Sequence, residues 1–189
     1  MSSRKPRRIV ITGLPACGKT TLAHALARED PSLVAIRGDE LRYIDDKWTR
    51  KSKADFIAAV RNAVQSAEAA GKGWIYDSSY NDTSDPEQAR QAALQDVLGT
   101  PNEGVELKII APTSVTEDIS PAIERCIGRV MGTVPQGACP ETKENRARFL
   151  VKFVQSYDAN AAALNELATN MNDWGFDVKL GSAEALAAN

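Results

Sequence analysis

Histidine and cysteine are scarce in this sequence, and their scarcity excludes several kinds of site. The 189 residues hold one histidine, His24, and three cysteines, none of them in a Cys-x-x-Cys pair. One histidine cannot build a histidine-rich metal centre, and three scattered cysteines form neither a disulfide framework nor a zinc site. We therefore expect a cytoplasmic protein in a reducing environment, with His24 in a structural role. The three cysteines are Cys17, Cys126 and Cys139.

Long apolar runs and a large excess of one charge are also lacking. No stretch approaches the ~20 apolar residues of a membrane-spanning helix, so we expect no membrane association. The net charge is −2, from 23 Lys and Arg against 25 Asp and Glu, which argues against nonspecific coating of nucleic acid but allows a small basic cleft. The basic start, MSSRKPRR, leads into a strand pattern and not into a signal-peptide core, so we expect a solvated tail and no export. Nothing indicates an obligate protein partner.

Strand and helix patterns alternate along the chain. Short apolar runs predict strands at 7–12, 32–37, 73–77, 105–111 and 174–180, and helical signals predict helices at 18–29, 53–70, 84–99, 117–131 and 142–171. Such alternation is typical of right-handed βαβ crossovers, which build a parallel sheet with helices on both faces. We predict one α/β domain over residues 1–189, with about five parallel strands, a lid at about 117–140 and a tail at 181–189.

The stretch IVITGLPACGKTT carries the most specific motif. Gly13, Gly18, Lys19 and Thr20 match G-x-x-x-x-G-K-[ST], the P-loop, between a predicted strand and a predicted helix. Glycine lets successive N–H groups turn inward around phosphate oxygens, and the helix N-terminus adds partial positive charge. Lys19 is expected to reach the β- and γ-phosphates, and the Thr20 hydroxyl to bind Mg²⁺. The residues expected to contact ATP are Gly13, Leu14, Pro15, Ala16, Cys17, Gly18, Lys19, Thr20 and Thr21.

Cys17 lies inside this loop and has two readings. It is either a small residue that fits, or a thiol made more reactive by the helix N-terminus, whose alkylation would inactivate the protein.

A second group of polar residues follows the second predicted strand. The carboxyl ends of parallel strands face the ligand crevice, and Asp39 comes directly after such an end. A carboxylate there is suited to accept a proton from a hydroxyl that attacks the γ-phosphate. Arg42 lies three positions on and, in a helix, would share a face with Asp39 and hold an anionic group of the acceptor. A surface Asp–Arg pair is the alternative.

Asp77 ends the third predicted strand, after Trp74-Ile-Tyr. An acid at such a strand end supports Mg²⁺ as a Walker-B acid does. Ser78, Ser79 and Asn81 follow and are candidates to donate hydrogen bonds into the site, although Asp and Asn also favour ordinary turns.

Arg125 and Arg129 are four residues apart on a predicted helix and so project together. Converging arginines stabilise the negative charge of phosphoryl transfer, and a lid formed by this helix and the loop 132–140 would exclude water. A solvated basic stripe is the alternative that spacing alone would favour.

Together these residues resemble the small P-loop kinases typified by the phage polynucleotide 5′-kinase domain, and more broadly the AAA_33-type kinase family. The resemblance covers roughly residues 7–157. It rests on the P-loop Gly13–Thr20, on Asp39-x-x-Arg42, on Asp77, and on Arg125-x-x-x-Arg129 followed by Val134-Pro135.

The resemblance implies a P-loop NTPase kinase fold and a role for each matching residue. Asp39 would be the general base for the acceptor hydroxyl, and Arg42 would contact the acceptor's phosphate. Arg125 and Arg129 would serve the donor phosphates and the transition state.

The sequence also departs from that family. Its members often read D-x-T-N after the third strand, whereas this chain reads Asp77-Ser-Ser-Tyr-Asn81, one residue longer. We find no C-terminal phosphatase domain and so expect no bifunctional end-healing enzyme. Relatives of the fold phosphorylate antibiotics, sugars, nucleosides and peptidoglycan precursors, and certain phage enzymes phosphorylate a hydroxymethylated base within DNA.

These observations predict an ATP- and Mg²⁺-dependent kinase with a hydroxyl acceptor in nucleic acid or a nucleotide. The hydroxyl would be a 5′ end, or the hydroxymethyl group of a modified pyrimidine such as 5-hydroxymethyluracil in DNA, which would place a phage enzyme in its host's cytoplasm. A small-molecule kinase for a nucleoside, sugar or antibiotic is the first alternative, and the modest net charge favours it. An ATP-hydrolysing switch is the second.

Overall fold

The computed structural model describes residues 6–13, 17–44, 49–77, 104–110 and 176–188, together with the single helical residues Glu124, Gly128, Val151 and Thr169. In chain order the elements are β1 (Arg8–Gly13), α1 (Lys19–Glu29), β2 (Leu33–Arg37), α2 (Gly38–Leu41), β3 (Tyr43–Ile44), β4 (Thr49–Arg50), α3 (Lys53–Ala69), β5 (Gly73–Asp77), β6 (Val105–Ile110), β7 (Asp177–Gly181) and α4 (Ala183–Ala187).

Five of the strands form one parallel sheet in the order β2-β5-β1-β6-β7. Apolar runs form these strands because the central ones are covered on both faces, and every residue of β5 is buried. The α/β fold and the five-stranded parallel sheet predicted from the sequence are confirmed.

The P-loop strand lies at the centre of the sheet. From β1 the chain moves first to one side, to β2 and β5, and later to the other side, to β6 and β7. Ligand crevices of open α/β sheets lie at the carboxyl ends of the strands where the strand order reverses. The topology therefore places the end of β1 at the expected binding edge.

Helices α1 and α4 cover one face of the sheet. Apolar residues that alternate along the strands meet the buried face of α1 there, because side chains of a strand point to opposite faces in turn. The resulting core contains Ile9, Ile11, Leu22, Ala23, Leu26, Leu33, Ile75, Ile110 and Leu186. The C-terminal helix is thus part of the core through Leu186, which is 2% exposed.

Helix α3 contacts β2 and β5 and buries Val60, Val64 and Ala67. Its spacing of apolar residues is the one that predicted the helix from the sequence.

Trp74 Nε1 donates a hydrogen bond to Glu68 Oε1 over 3.1 Å, and this carboxylate also pairs with Arg8. The indole is buried, and the bond gives its N–H an acceptor.

The boundaries of the two long helices follow from local chemistry. Ser52 Oγ accepts from the Asp55 N–H at the start of α3, and Gly71 takes a left-handed φ of 68° just beyond its end. Helix α1 ends at Glu29 before Asp30-Pro31, where the proline ring cannot continue the helix.

A cluster of ionic side chains lies toward the amino end of the sheet, on the face that α1 and α4 cover. Glu106 pairs with Arg7, Lys108 and Lys179 at 3.0, 2.9 and 3.4 Å. Lys108 is fully buried and also donates to the Leu186 carbonyl over 2.9 Å. Burial alone would raise the pKa of Glu106, but hydrogen bonds from Lys108 and Arg7, with the charges of both, hold this pKa below its ordinary value.

The structure contains some elements that the sequence did not predict, and some predicted elements lie outside the described residues. The short helix α2 and the antiparallel pair β3–β4 have too few residues to show a periodicity. The last strand begins at Asp177, three residues later than predicted, and α4 forms within the predicted tail. The predicted helix 84–99 and loop 132–140 lie outside the described residues, as does most of the predicted helices 117–131 and 142–171, of which Glu124, Gly128, Val151 and Thr169 are helical.

Candidate active site at the P-loop edge

The two glycines of the P-loop adopt conformations that other residues rarely take. Gly13 has a φ of 149°, and a Cβ there would lie 2.2 Å from the Ile110 carbonyl oxygen of the neighbouring strand β6. Gly18 has a φ of 101° and precedes the first residue of α1. The chain can therefore turn sharply from β1 into the helix, as a phosphate-binding loop requires.

Lys19 begins α1 and points back toward the start of the loop. Its Nζ donates a hydrogen bond to the Gly13 carbonyl oxygen over 3.2 Å. The ammonium group thus lies beside Gly13, at the start of the loop that the motif assigns to the phosphates.

Thr20 and Asp77 join the P-loop to the end of β5. Thr20 Oγ1 donates to Asp77 Oδ2 over 2.8 Å, across 57 positions of sequence. The register of β1 with β5 places Asp77 beside Ile11, and the side chain is only 6% exposed. The sequence predicted both residues as Mg²⁺ partners, and the structure brings them into contact.

This pair of oxygens fits the demands of a magnesium ion. Mg²⁺ is usually held by one or two protein oxygens plus substrate phosphates and waters, not by a full protein cage. Thr20 and Asp77 supply a hydroxyl and a carboxylate at the mouth of the loop. Within the described ranges, no group of three or more His, Cys, Asp or Glu residues forms another candidate metal site.

Asp39 lies at the same edge of the sheet. Helix α2 begins at Gly38, directly after β2, and β2 pairs with β5 so that Arg37 and Asp77 are register partners. The backbone of Asp39 is therefore two residues beyond the position that aligns with Asp77. Its assignment as the general base stays a prediction.

Arg42 directly follows α2 and rests on an aromatic ring. Its Cζ lies 5.1 Å from the centroid of Phe56 on α3, a cation–π contact. Such a contact holds the cation over the ring without engaging its N–H donors, which are suited to bind an anion. Phe56 was not singled out in the sequence analysis, since its contact with Arg42 depends on how α2 and α3 pack.

Arg37 is a second residue that sequence reasoning passed over. It ends β2, and its Nη1 donates to Glu40 Oε1 of α2. Its Nε is buried and has no hydrogen-bond partner among the described residues. The signal was present in Arg37-Gly-Asp39, where a cation precedes the predicted base by two positions.

The remaining predicted site residues divide into two groups. Cys17 is half-buried and packs against the core, and Thr21 is exposed on α1. Outside the described residues lie Leu14, Pro15, Ala16, Ser78, Ser79, Asn81, Arg125 and Arg129, whose roles stay predictions.

The C-terminal helix also approaches the loop. A Cβ placed on Gly18 would lie 3.5 Å from the Cβ of Ala183, the first residue of α4. The small side chain of Ala183 therefore lets α4 lie against the start of α1.

The glycine-rich turn, the lysine and the Thr20–Asp77 pair define a P-loop nucleoside triphosphatase. The chain belongs to the ATPase family associated with various cellular activities (AAA), whose model matches residues 9–134, about two-thirds of the chain. The helices of the described residues include none with the length and apolar character needed to cross a membrane.

Among curated proteins, the chain is similar to the probable 26S proteasome regulatory subunit 4 of Caenorhabditis elegans. The two are 26% identical over 196 residues, which cover 98% of this chain and 43% of that protein. The chain thus spans less than half the length of this relative.

Two solved structures show the same fold. The Deinococcus radiodurans tunicamycin resistance protein matches with a TM-score of 0.54 and 16% identity over 97% of this chain and 92% of that one. A chain of the Pnkp1/Rnl/Hen1 RNA repair complex matches with a TM-score of 0.51 and 16% identity over 82% of this chain and 46% of that one. At this identity the likeness concerns the fold.

Proposed function

We propose that this protein is a Mg²⁺-dependent kinase that transfers the γ-phosphate of ATP to a hydroxyl of nucleic acid or of a nucleotide. The observation that carries the proposal is the placement of Asp39. Its backbone follows β2 at the edge where Thr20 and Asp77 meet, next to the strand that Asp77 ends. A base at this edge serves an acceptor hydroxyl, which a protein that only binds nucleotide does not need.

In this proposal each residue has one task. Lys19 and the P-loop amides bind the β- and γ-phosphates, and Thr20 and Asp77 hold Mg²⁺, which neutralises phosphate charge when bound. Asp39 accepts the proton of the acceptor hydroxyl. Arg125 and Arg129 clamp the donor phosphates from the lid. Positioning and electrostatics supply most of the catalysis in such a site.

Arg42 supports an acceptor that carries a phosphate. Its guanidinium lies over the Phe56 ring, and Arg42 comes just after the helix that contains Asp39. A primary hydroxyl at a 5′ end, or on a hydroxymethylated pyrimidine within a strand, has a backbone phosphate nearby. The fold shared with a chain of an RNA repair complex is consistent with a nucleic-acid acceptor.

The test is transfer of label from γ-labelled ATP by the wild type and by Asp39→Asn. The acceptors are an oligonucleotide with a 5′-hydroxyl, a 5′-phosphorylated one, a 5′-phosphorylated one with 5-hydroxymethyluracil, and a panel of nucleosides and sugars. We expect label on the first or the third, and a loss of at least about 100-fold in Asp39→Asn.

The acceptor that takes the label distinguishes the alternatives. Label on the first oligonucleotide alone defines a 5′-end kinase, and label on the third alone defines a kinase for the DNA base. Label only on nucleosides or sugars would replace the nucleic-acid proposal by the small-molecule kinase. Nucleotide binding by Asp39→Asn equal to that of the wild type is the control for folding.

A second candidate function is ATP hydrolysis without an acceptor. The match to the AAA ATPase family and the likeness to a proteasome regulatory subunit favour it. It predicts that phosphate is released to water at the same rate with and without acceptors, and that Asp39→Asn leaves this rate unchanged.

A further inference from the structure

Arg37 places a guanidinium group at the phosphate edge of the sheet. It is the last residue of β2 and the register partner of Asp77 on β5. Partners in neighbouring parallel strands project from the same face, about 5 Å apart. Arg37 therefore extends from the face and the edge at which Asp77 accepts a hydrogen bond from Thr20.

The hydrogen-bonding capacity of this guanidinium is only partly used. Nη1 donates to the Glu40 carboxylate, whose side chain is 51% exposed, whereas the Arg37 side chain is 22% exposed. Nε is buried and meets no acceptor in the part of the chain that the structure describes. Because buried donors in folded proteins are nearly always paired, an acceptor from a bound ligand is the simplest complement.

The pair with Glu40 orients the group. Arginine presents its donors in a rigid planar fork, so one carboxylate on Nη1 fixes the direction of the others. Nε and Nη2 of such a fork can together donate to two oxygens of a phosphate, and Nε has no acceptor among the described residues. An arginine that served only to tie α2 to β2 would need the Nη1 contact alone and would gain nothing from a buried, unfilled Nε.

We propose that Arg37 is a further substrate-binding residue, whose guanidinium binds phosphate oxygens of the ligand. This inference rests on the proposed phosphotransfer function, but it concerns ligand binding and is testable without turnover. The phosphate has two possible sources, the γ-phosphate of ATP and the phosphate beside the acceptor hydroxyl.

The experiment compares Arg37→Gln with Arg28→Gln in the full chain. Arg28 is exposed in the last turn of α1, so its replacement removes the same charge away from the site. Calorimetry gives the Kd for Mg·ATP, label transfer gives the KM of an oligonucleotide and of a nucleoside that lacks phosphate, and thermal unfolding gives the Tm. Arg37→Lys, which keeps the charge and loses the fork, is the second variant if Arg37→Gln unfolds.

We expect Arg37→Gln to weaken the binding of one phosphate-bearing ligand by about tenfold or more, while its Tm stays close to that of Arg28→Gln. A higher Kd for Mg·ATP identifies the γ-phosphate, whereas a higher KM for the oligonucleotide but not for the nucleoside identifies the acceptor's phosphate. Arg37→Lys should recover only part of the affinity.

The inference is overturned if Arg37→Gln matches Arg28→Gln in every affinity, or if it lowers only the Tm. If the wild type phosphorylates no acceptor, the proposed kinase function fails separately. In that case the Kd for Mg·ATP alone decides the role of Arg37, and an unchanged Kd rejects it.

Discussion

At the scale of single residues, the hydrogen bond between Thr20 and Asp77 connects two motifs that are far apart in sequence. Both side chains present oxygen atoms that can bind a metal ion at the mouth of a phosphate-binding turn, and Asp77 is almost fully buried. A buried carboxylate needs a partner, and the Thr20 hydroxyl is one. In the nucleotide-bound protein, Thr20 and Asp77 would hold Mg²⁺, which would supply positive charge at this edge.

Replacing Thr20 by Val tests this pair with little change in volume. The loss of the hydroxyl removes a metal partner and should reduce phosphate transfer or hydrolysis by about ten- to a hundredfold, the equivalent of about 1.5–3 kcal/mol. Titration of activity with Mg²⁺ is the measurement, and the half-saturating concentration should rise. Thr20→Ser keeps the hydroxyl and should retain most of the activity. Equal Mg²⁺ dependence in Thr20→Val and the wild type would contradict the assignment.

At the scale of elements, the strength of each local signal determined what the sequence could predict. The strands β1, β2, β5 and β6 were predicted to within one residue at each end, because their apolar runs end at glycine, proline or polar residues. The helices α1 and α3 have clear boundaries at Pro31, Ser52 and Gly71 and were predicted equally well.

The contacts of the site could be predicted only in part. The motif GxxxxGKT and the strand-end position of Asp77 together indicated the Thr20–Asp77 contact, since the ends of adjacent parallel strands share an edge. The contact of Arg42 with Phe56 and the pairing of Arg37 with Glu40 depend on how α2 turns after β2. A four-residue helix has no periodicity from which that turn could be predicted.

The C-terminal helix α4 gives a prediction at this scale. Leu186 is 2% exposed and belongs to the core cluster with Leu22 and Ile110, so Leu186→Ala should lower the free energy of unfolding by about 2 kcal/mol or more. Leu180 on β7 is 41% exposed, and Leu180→Ala should change the free energy of unfolding by less than about 0.5 kcal/mol. Urea denaturation of both variants is the measurement. A loss of less than about 0.5 kcal/mol in Leu186→Ala, as small as that expected for Leu180→Ala, would show that α4 adds little to the core.

At the scale of the whole molecule, the ionic cluster around Glu106 connects parts of the chain that are distant in sequence. The carboxylate pairs with Arg7 before β1, Lys108 on β6 and Lys179 on β7, and Lys108 also binds the carbonyl of Leu186 in α4. Glu106 thus joins three cations at the amino end of the sheet, and one of them, Lys108, connects this cluster to α4. The cluster lies away from the phosphate edge, so its contribution is to stability and not to the chemistry.

Because the pKa of Glu106 is lower in the folded chain than its ordinary value of 4.5, the unfolded chain binds the proton more readily. The stabilisation by this carboxylate is therefore complete above the unfolded pKa and is lost as the pH falls through the lower, folded pKa. At neutral pH, Glu106→Gln should reduce the free energy of unfolding by about 3 kcal/mol, because it leaves the buried Lys108 without its carboxylate.

The difference between wild type and Glu106→Gln should be constant at neutral pH and shrink below the ordinary value of 4.5. Urea denaturation from about pH 7 down to about pH 3 measures it, and taking the difference removes the titration of the other acids. Glu29→Gln, at the exposed end of α1, is the matched control and should show little difference at any pH. A Glu106→Gln difference that stays constant through the acid range would mean that the charge of this carboxylate does not stabilise the cluster.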